Sequence, residues 1–297
     1  MLREVTLTRE SDMGRVEARK AAAADGGRVH EPLRGARVAL LEARMESELA
    51  SLVRRHGGEP ICVPAMREIE RDCAEDVTRV YATLLGESVV VVLTTGVGLE
   101  RLLKVAVAIG IGQELRSELA RAVTVCRGPK PVAVLKRERM PSHVRAEAPY
   151  TTKELLAALD GVEVAGRDVV FVHDGGGNRD VVAALAGRGA RVVEVQPYVW
   201  ALPEDIGPLR ELVDKIVRAD IDAIAFTTQV QARHLFGVAD SMGARDAMVR
   251  SLRDHIVVAA VGPTCARTLA QLGAPPHVVP EQTNMGAMIV TLATRFG

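Results

Sequence analysis

The sequence predicts an α/β fold made of two similar parallel-sheet units. Three observations lead there. From Arg34 onward, short β-branched runs alternate with amphipathic stretches. The runs are apolar without a break, as in SVVVVLTT (88–95), which suits strands buried on both faces of a parallel sheet. The whole pattern then recurs once along the chain, the mark of a duplicated unit.

The elements follow in order. VALLEA (38–43) reads as the first strand, and the stretch through Glu48, Leu52 and Arg55 as a helix closed by Gly57-Gly58; glycine supplies the left-handed residue that ends helices. PICVP (60–64) and SVVVVLTT are the next strands, and helices are predicted over 98–108, 114–121, 131–138 and 153–159. RDVVFVHD (167–174) and ARVVEV (190–195) are strands on either side of a helix over 178–185. A helix over 209–218 precedes the strand DAIAFTT (222–228). Helices over 231–236 and 244–252, the strand HIVVAAVG (255–262) and a helix over 265–272 complete the series. Such alternation argues for parallel sheets covered by helices. Residues 1–32 stand apart: six basic and six acidic side chains surround AAAADGG with no sustained apolar period. They read as a mobile tail, with a docking arm or a misassigned start codon as the alternatives.

Composition excludes several functions. A chain of 297 residues that is 48% hydrophobic has enough apolar material for a sizeable core. Its 38 basic residues are balanced by 38 acidic ones, which argues against sequence-independent nucleic-acid binding. Membrane association is not expected, because no apolar run reaches the ~18–20 residues of a span. The charged start lacks the apolar region of a signal peptide, so a cytoplasmic location is expected. Cys62, Cys73, Cys126 and Cys265 lack metal-ligand spacing and read as buried thiols of a reducing compartment. Neither His-Glu-x-x-His, Gly-x-Ser-x-Gly nor a Walker A sequence is present, so zinc-protease, serine-hydrolase and P-loop chemistry lack sequence support.

The repeat is the most informative feature. A shift of 133 residues lays VVVVLTTGVGLERLL on DAIAFTTQVQARHLF, with Thr94-Thr95 on Thr227-Thr228. A shift of 134 lays VTVCRGPKPVAVL on VVAAVGPTCARTL, Gly128-Pro129 on Gly262-Pro263, and His143-Val144 on His277-Val278. A shift of 131 brings Gly35, Val38 and Gly58 onto Gly166, Val169 and Gly189. Chance similarity between strands explains the valines but not three nearly equal shifts. Two related units imply a cleft between them, and clefts outside the carboxyl ends of strands are where such folds bind ligands. The Thr-Thr and Gly-Pro pairs all sit at strand ends just before helices. Helix starts carry unpaired N–H groups and partial positive charge, so they hold carboxylate or phosphate without a formal cation. A polyanionic small molecule is the expected guest; taken singly, each pair also fits plain helix capping.

These parts, in this order, resemble uroporphyrinogen-III synthase. The carrying stretches are VALLEARMESELASLVRRHGGEPICVPAM, VVVVLTTGVGLERLL, VCRGPKPVAVL, APYTTKELLAAL, VEVQPYVWALPED, DAIAFTTQVQARHLF and VVAAVGPTCARTLAQLG, and they span residues 34–297. The resemblance implies two flavodoxin-like domains joined by a two-stranded linker. The first domain would be discontinuous, residues 34–66 and 203–297, and the second would be 70–198, with crossings at 66–70 and 197–203. It implies conversion of hydroxymethylbilane, a linear tetrapyrrole, to uroporphyrinogen III: loss of water, inversion of ring D and closure, without cofactor or metal. A monomer is expected. Tyr198 would donate a proton to the departing hydroxyl. Thr94, Thr95 and Gly96, with Thr227, Thr228 and Gln229, would bind the acetate and propionate groups, as would Gly128, Lys130, Gly262, Thr264 and Arg44. Gly175 and Gly176, beside His173 and Asp174 at another strand end, would touch ligand or form a flexible turn. Two departures stand out. Pro131 and Cys265 occupy places where the family usually has threonine. A non-catalytic sensing domain that regulates transcription or another enzyme is the alternative; with Gly297 shortly after the last predicted helix, no appended DNA-binding module is expected. A two-lobed binder of periplasmic type is a third reading, against which stands the lack of a signal peptide.

Overall fold

A computed structural model describes residues 32–297, so the expected tail lies outside the described residues but for Pro32. The described residues form two parallel sheets and one antiparallel ribbon. In the four-stranded sheet, β1 (Arg37–Leu40) pairs in parallel with β2 (Glu59–Cys62) and β10 (Ala223–Phe226), and β10 with β11 (Val257–Ala260), giving the order β2-β1-β10-β11. In the five-stranded sheet, β4 (Val90–Leu93) lies between β5 (Val123–Cys126) and β7 (Asp168–Val172). β6 (Val144–Arg145) and β8 (Arg191–Val195) form its edges. The ribbon pairs β3 (Arg67–Glu70) with β9 (Tyr198–Ala201), Arg67 opposite Ala201 and Glu70 opposite Tyr198.

Both sheets bury both faces, which is why their strands read as unbroken apolar runs. Side chains alternate across each strand. Ile224 and Phe226 of β10 face α8 (Gly207–Val217), α9 (Gln229–Ser241), α10 (Arg245–Asp254) and α11 (Pro263–Gln271) through Leu212, Leu235, Leu252 and Leu269. Ala223 and Ala225 face α1 (Glu46–Arg55) and α12 (Met285–Ala293) through Val53 and Leu292. The five-stranded sheet repeats the arrangement. Val91 and Leu93 meet α2 (Ala74–Leu84), α3 (Gly96–Ala108), α4 (Gly112–Arg121) and α5 (Pro129–Arg137), while Val90 and Val92 meet α6 (Thr152–Asp160) and α7 (Arg179–Gly187). Each fully buried leucine contributes about 1.5–3 kcal/mol.

The repeat extends to hydrogen bonds. His143 Nδ1 accepts from the Thr124 N–H at 3.1 Å, and His277 Nδ1 accepts from the Val258 N–H at 3.0 Å. Val144 pairs with Val125 in β6, and Val278 bridges Ala259 at the same place in the other sheet. Gly35 and Gly166 both take positive φ, and each donates its N–H to a glycine carbonyl, Gly57 or Gly189. Most predicted helices run a residue or two further than expected. α3 begins at Gly96 rather than Gly98, because the Thr95 hydroxyl accepts from Gly98 N–H and caps it. α9 reaches Ser241 rather than Phe236. α2 and α12 have no counterpart among the predicted helices.

Candidate functional site

A cleft of about 450 Å³ opens at the carboxyl ends of both sheets, walled by residues of both and floored by the ribbon. Thr95 and Thr228, equivalent in the repeat, cap α3 and α9. Gly128 and Gly262 are the N-caps of α5 and α11, each followed by proline, whose missing N–H costs nothing in the first turn. Thr151 caps α6. Helix starts from both halves therefore surround one space, and their amide groups give it positive potential. Arg44, Arg127 and Lys130 add formal cations, while Asp174 is the carboxylate of the lining. Asp174 pairs with Arg127 at 2.9 Å and accepts the Gly176 N–H at 3.0 Å, so it holds the glycine turn as it neutralises the arginine.

The ribbon brings the aromatic residues. The chain has one tryptophan and three tyrosines, and Trp200, Tyr198 and Tyr150 line the cleft. Tyr198 meets Trp200 edge-on at 5.4 Å between centroids. The Arg44 guanidinium lies 5.0 Å above the Trp200 ring, a cation–π contact. The Tyr198 hydroxyl is 3.2 Å from Thr95 Oγ, with either atom able to donate. Burial pushes the Tyr198 phenol upward, and the nearby Asp174 adds to that; the Thr95 hydrogen bond opposes it. The phenol is therefore a neutral, proton-bearing group across the physiological range. Below it, Glu68 of β3 pairs with both Arg44 and Arg101, and Arg101 also reaches Glu70.

Of the residues the sequence nominated, Tyr198, Arg44, Thr95, Gly96, Lys130, Gly176, Thr227, Thr228, Gln229, Gly262 and Thr264 line this cleft. Three do not. Thr94 is buried and its hydroxyl donates to the Val172 carbonyl at 2.7 Å. Gly128 is covered by the Tyr150 ring, for a Cβ built there would lie 3.3 Å from Tyr150 Cγ. Gly175 packs beneath Tyr198 and Trp200, where a Cβ would come within 2.7 Å of both. Thr227 enters the cleft with its hydroxyl already donated to Glu42, which also receives Gln231 Nε2 at 3.3 Å. Sequence reasoning missed Arg127, Tyr150, Asn178, Trp200 and Thr283 as lining residues. Cys265 reaches the wall with its thiol 3.7 Å from the Phe226 carbonyl, and burial pushes that thiol up to about 12. Among the described residues, no three His, Cys, Asp or Glu side chains converge as a metal site requires. No helix among them is long and apolar enough to cross a membrane. The arrangement suits a flexible polyacid held by amides and a few cations, with aromatic faces and a neutral phenol at its floor.

The chain is similar to known proteins in sequence and in fold. Residues 47–290 match the family model described as uroporphyrinogen-III synthase HemD. The uncharacterized protein YjjA of Bacillus subtilis (strain 168) is 30% identical over 267 residues, 89% of this chain and 97% of that one. A putative uroporphyrinogen-III synthase of Methanothermobacter thermautotrophicus is 32% identical over 148 residues, 50% of this chain and 57% of its own length. A crystal structure of a mutant uroporphyrinogen III synthase from the extremely thermophilic bacterium Thermus thermophilus superposes with a TM-score of 0.70. It shares 28% identity and covers 89% of this chain and 100% of that one.

Proposed function

Because this chain belongs to the uroporphyrinogen-III synthase family, we propose that it is itself a lyase that closes hydroxymethylbilane to uroporphyrinogen III, serving haem, sirohaem or cobalamin formation. The observation that carries the reading is the single cleft into which both halves direct helix starts, with Tyr198 and Trp200 on its floor. The substrate bears an acetate and a propionate on each ring, which suits amide-lined walls. Pyrrole nitrogen electrons expel the terminal hydroxyl, and the departing oxygen takes a proton to leave as water. The electron-poor carbon left behind is attacked by the substituted carbon of ring D, and the spiro intermediate rearranges with that ring inverted. The protein's contribution is chiefly positioning, with Tyr198 as proton donor. Thr95, 3.2 Å away, keeps the phenol aimed. In this reading residues 34–66 and 203–297 form one domain and 70–198 the other, hinged at the ribbon. The protein works as a cytoplasmic monomer.

A second reading, a non-catalytic domain that senses a tetrapyrrole, is favoured by Pro131 and Cys265. Pro131 is buried in the first turn of α5, and Cys265 is buried in that of α11, so neither offers the cleft a hydroxyl. One assay separates the two. Purified protein is given hydroxymethylbilane and the isomers are resolved by chromatography. Isomer III in excess supports the synthase; isomer I alone, the spontaneous product, rejects it.

A further inference from the structure

The two walls of the cleft follow one plan but differ in charge, Arg127 and Lys130 on one side standing at the places of Val261 and Thr264 on the other, and they differ also in what covers their Gly-Pro turns. One residue fewer separates His277 from the last helix than separates His143 from α6, so beyond the histidines a shift of 133 lays Tyr150 on Thr283 and Thr151 on Asn284. The structure agrees with that alignment: Thr151 caps α6 and Asn284 caps α12, in each half the helix that comes next after the Gly-Pro helix, α5 or α11. In each half the residue before that cap lies over a glycine. A Cβ on Gly128 would lie 3.3 Å from Tyr150 Cγ, and one on Gly262 would lie 2.5 Å from Thr283 Cγ2. The device is the same, yet one half presents an aromatic ring and the other a methyl and a hydroxyl. Tyr150 is held with φ at +61°, a left-handed backbone that bulky residues rarely take and that surrounding structure must hold in place. It remains 37% exposed, and among the described residues no group hydrogen-bonds its hydroxyl.

We infer that Tyr150 sets the direction in which the ligand lies, its ring being a stacking platform for one pyrrole on the five-stranded side, while Thr283 leaves the opposite helix start open to a carboxylate. The inference rests on the tetrapyrrole reading of the same cleft. A linear chain of four similar rings, each with two carboxylates, presents much the same groups when reversed. Productive closure requires one direction. Thr95 and Thr228 cannot provide that distinction, being identical; Lys130, opposite Thr264, adds charge on one side, Arg127 there is already paired with Asp174, and Tyr150 adds a flat face on that same side. Of the wall positions paired by the repeat, that of Tyr150 and Thr283 introduces an aromatic ring on one side alone. Offset or edge-on contact between rings contributes about 0.5–1.5 kcal/mol beyond the area it buries, enough to bias orientation by roughly threefold to tenfold.

The test replaces Tyr150 by its own counterpart. Tyr150→Thr copies the Thr283 side, Tyr150→Leu keeps bulk without a π face, and Tyr150→Phe keeps the ring. Trp200, the one tryptophan of the chain, lines the cleft, so its quenching by uroporphyrin III reads binding without turnover. The Thr and Leu variants are expected to bind about threefold to tenfold more weakly; the Leu variant should keep the melting temperature of Tyr150→Phe, while Thr, β-branched at a left-handed φ, should melt lower, so the Leu variant carries the comparison. They should also yield a smaller fraction of isomer III from hydroxymethylbilane, and Tyr150→Phe should restore both. Binding and isomer ratio equal to the unaltered protein in both the Thr and Leu variants would overturn the inference. If the unaltered protein makes isomer I alone, the synthase reading falls, and quenching still decides the role of Tyr150.

Discussion

Tyr198 has about 1% of its surface exposed, and its environment holds the phenol above its ordinary value of 10.0. A group that keeps its proton in the native state remains an acid until the solution passes its raised pKa. Turnover by a Tyr198 donor should therefore show no basic limb below about pH 10. Tyr198→Phe is expected to slow turnover about 10- to 100-fold at pH 7 with little change in KM. A falling limb near pH 8 that disappears in Tyr198→Phe would contradict this assignment. Gly175 gives a second expectation at the same scale. Its missing Cβ lets the turn pass close beneath the Trp200 and Tyr198 rings; a Cβ there would lie 2.7 Å from both, so Gly175→Ala must displace one of them. Overpacking of this kind costs about 1–3 kcal/mol. Urea unfolding should show that loss, and Trp200 emission should shift with it.

The ribbon joins the two sheets, and its charges tie it to both. Glu68 of β3 meets Arg44, which follows β1, and Arg101 of α3, and its side chain is 12% exposed. Glu68→Gln keeps the shape and removes the charge, leaving two arginines without their shared partner. A loss of about 1–3 kcal/mol is expected in equilibrium unfolding, whereas Glu70→Gln, on the same face but more than half exposed at the strand's end, should lose less. Elements of this kind mark the limit of sequence reading. The central strands were legible because burial on both faces leaves an unmistakable run of valines, and the Thr-Thr and Gly-Pro turns because they recur. α12, MGAMIVTLA, escaped because it is apolar on nearly every side and shows no clear helical period. α2 carries the period in Val77, Val80 and Leu84, so the signal was present there. Pairing of β3 with β9 has no local signature; it followed from family resemblance alone. Among the lining residues, Tyr150 and Thr283 were nearly within reach: the repeat aligned His143 with His277 a few residues earlier, and a one-residue gap between there and the helix caps separates the two pairings. Arg127 was masked by the Gly-Pro pair it precedes. Asn178 owes its place to a glycine turn whose course no propensity fixes.

The molecule as a whole should weaken in alkali. Burial pushes Cys126 up to about 11 and Cys265 up to about 12, from 9.0. The native chain thus keeps two protons that the unfolded chain releases near pH 9. Their contribution to stability is full below that pH and is lost as pH rises through the native values. The expected slope is about 1.4 kcal/mol per pH unit for each thiol. Urea midpoints between pH 8 and 11, in reductant, check it, and a Cys126→Ala/Cys265→Ala protein should show a flatter profile. A last consequence lies in the path of the backbone. β1 is set against β10, Val38 beside Ala223, and every strand of the other sheet comes between them in the sequence. On a ribosome, which delivers the amino end first, β1 and β2 emerge and must wait. The enclosed sheet is finished before its older neighbour receives a partner, so the portion begun first is the last seam to close.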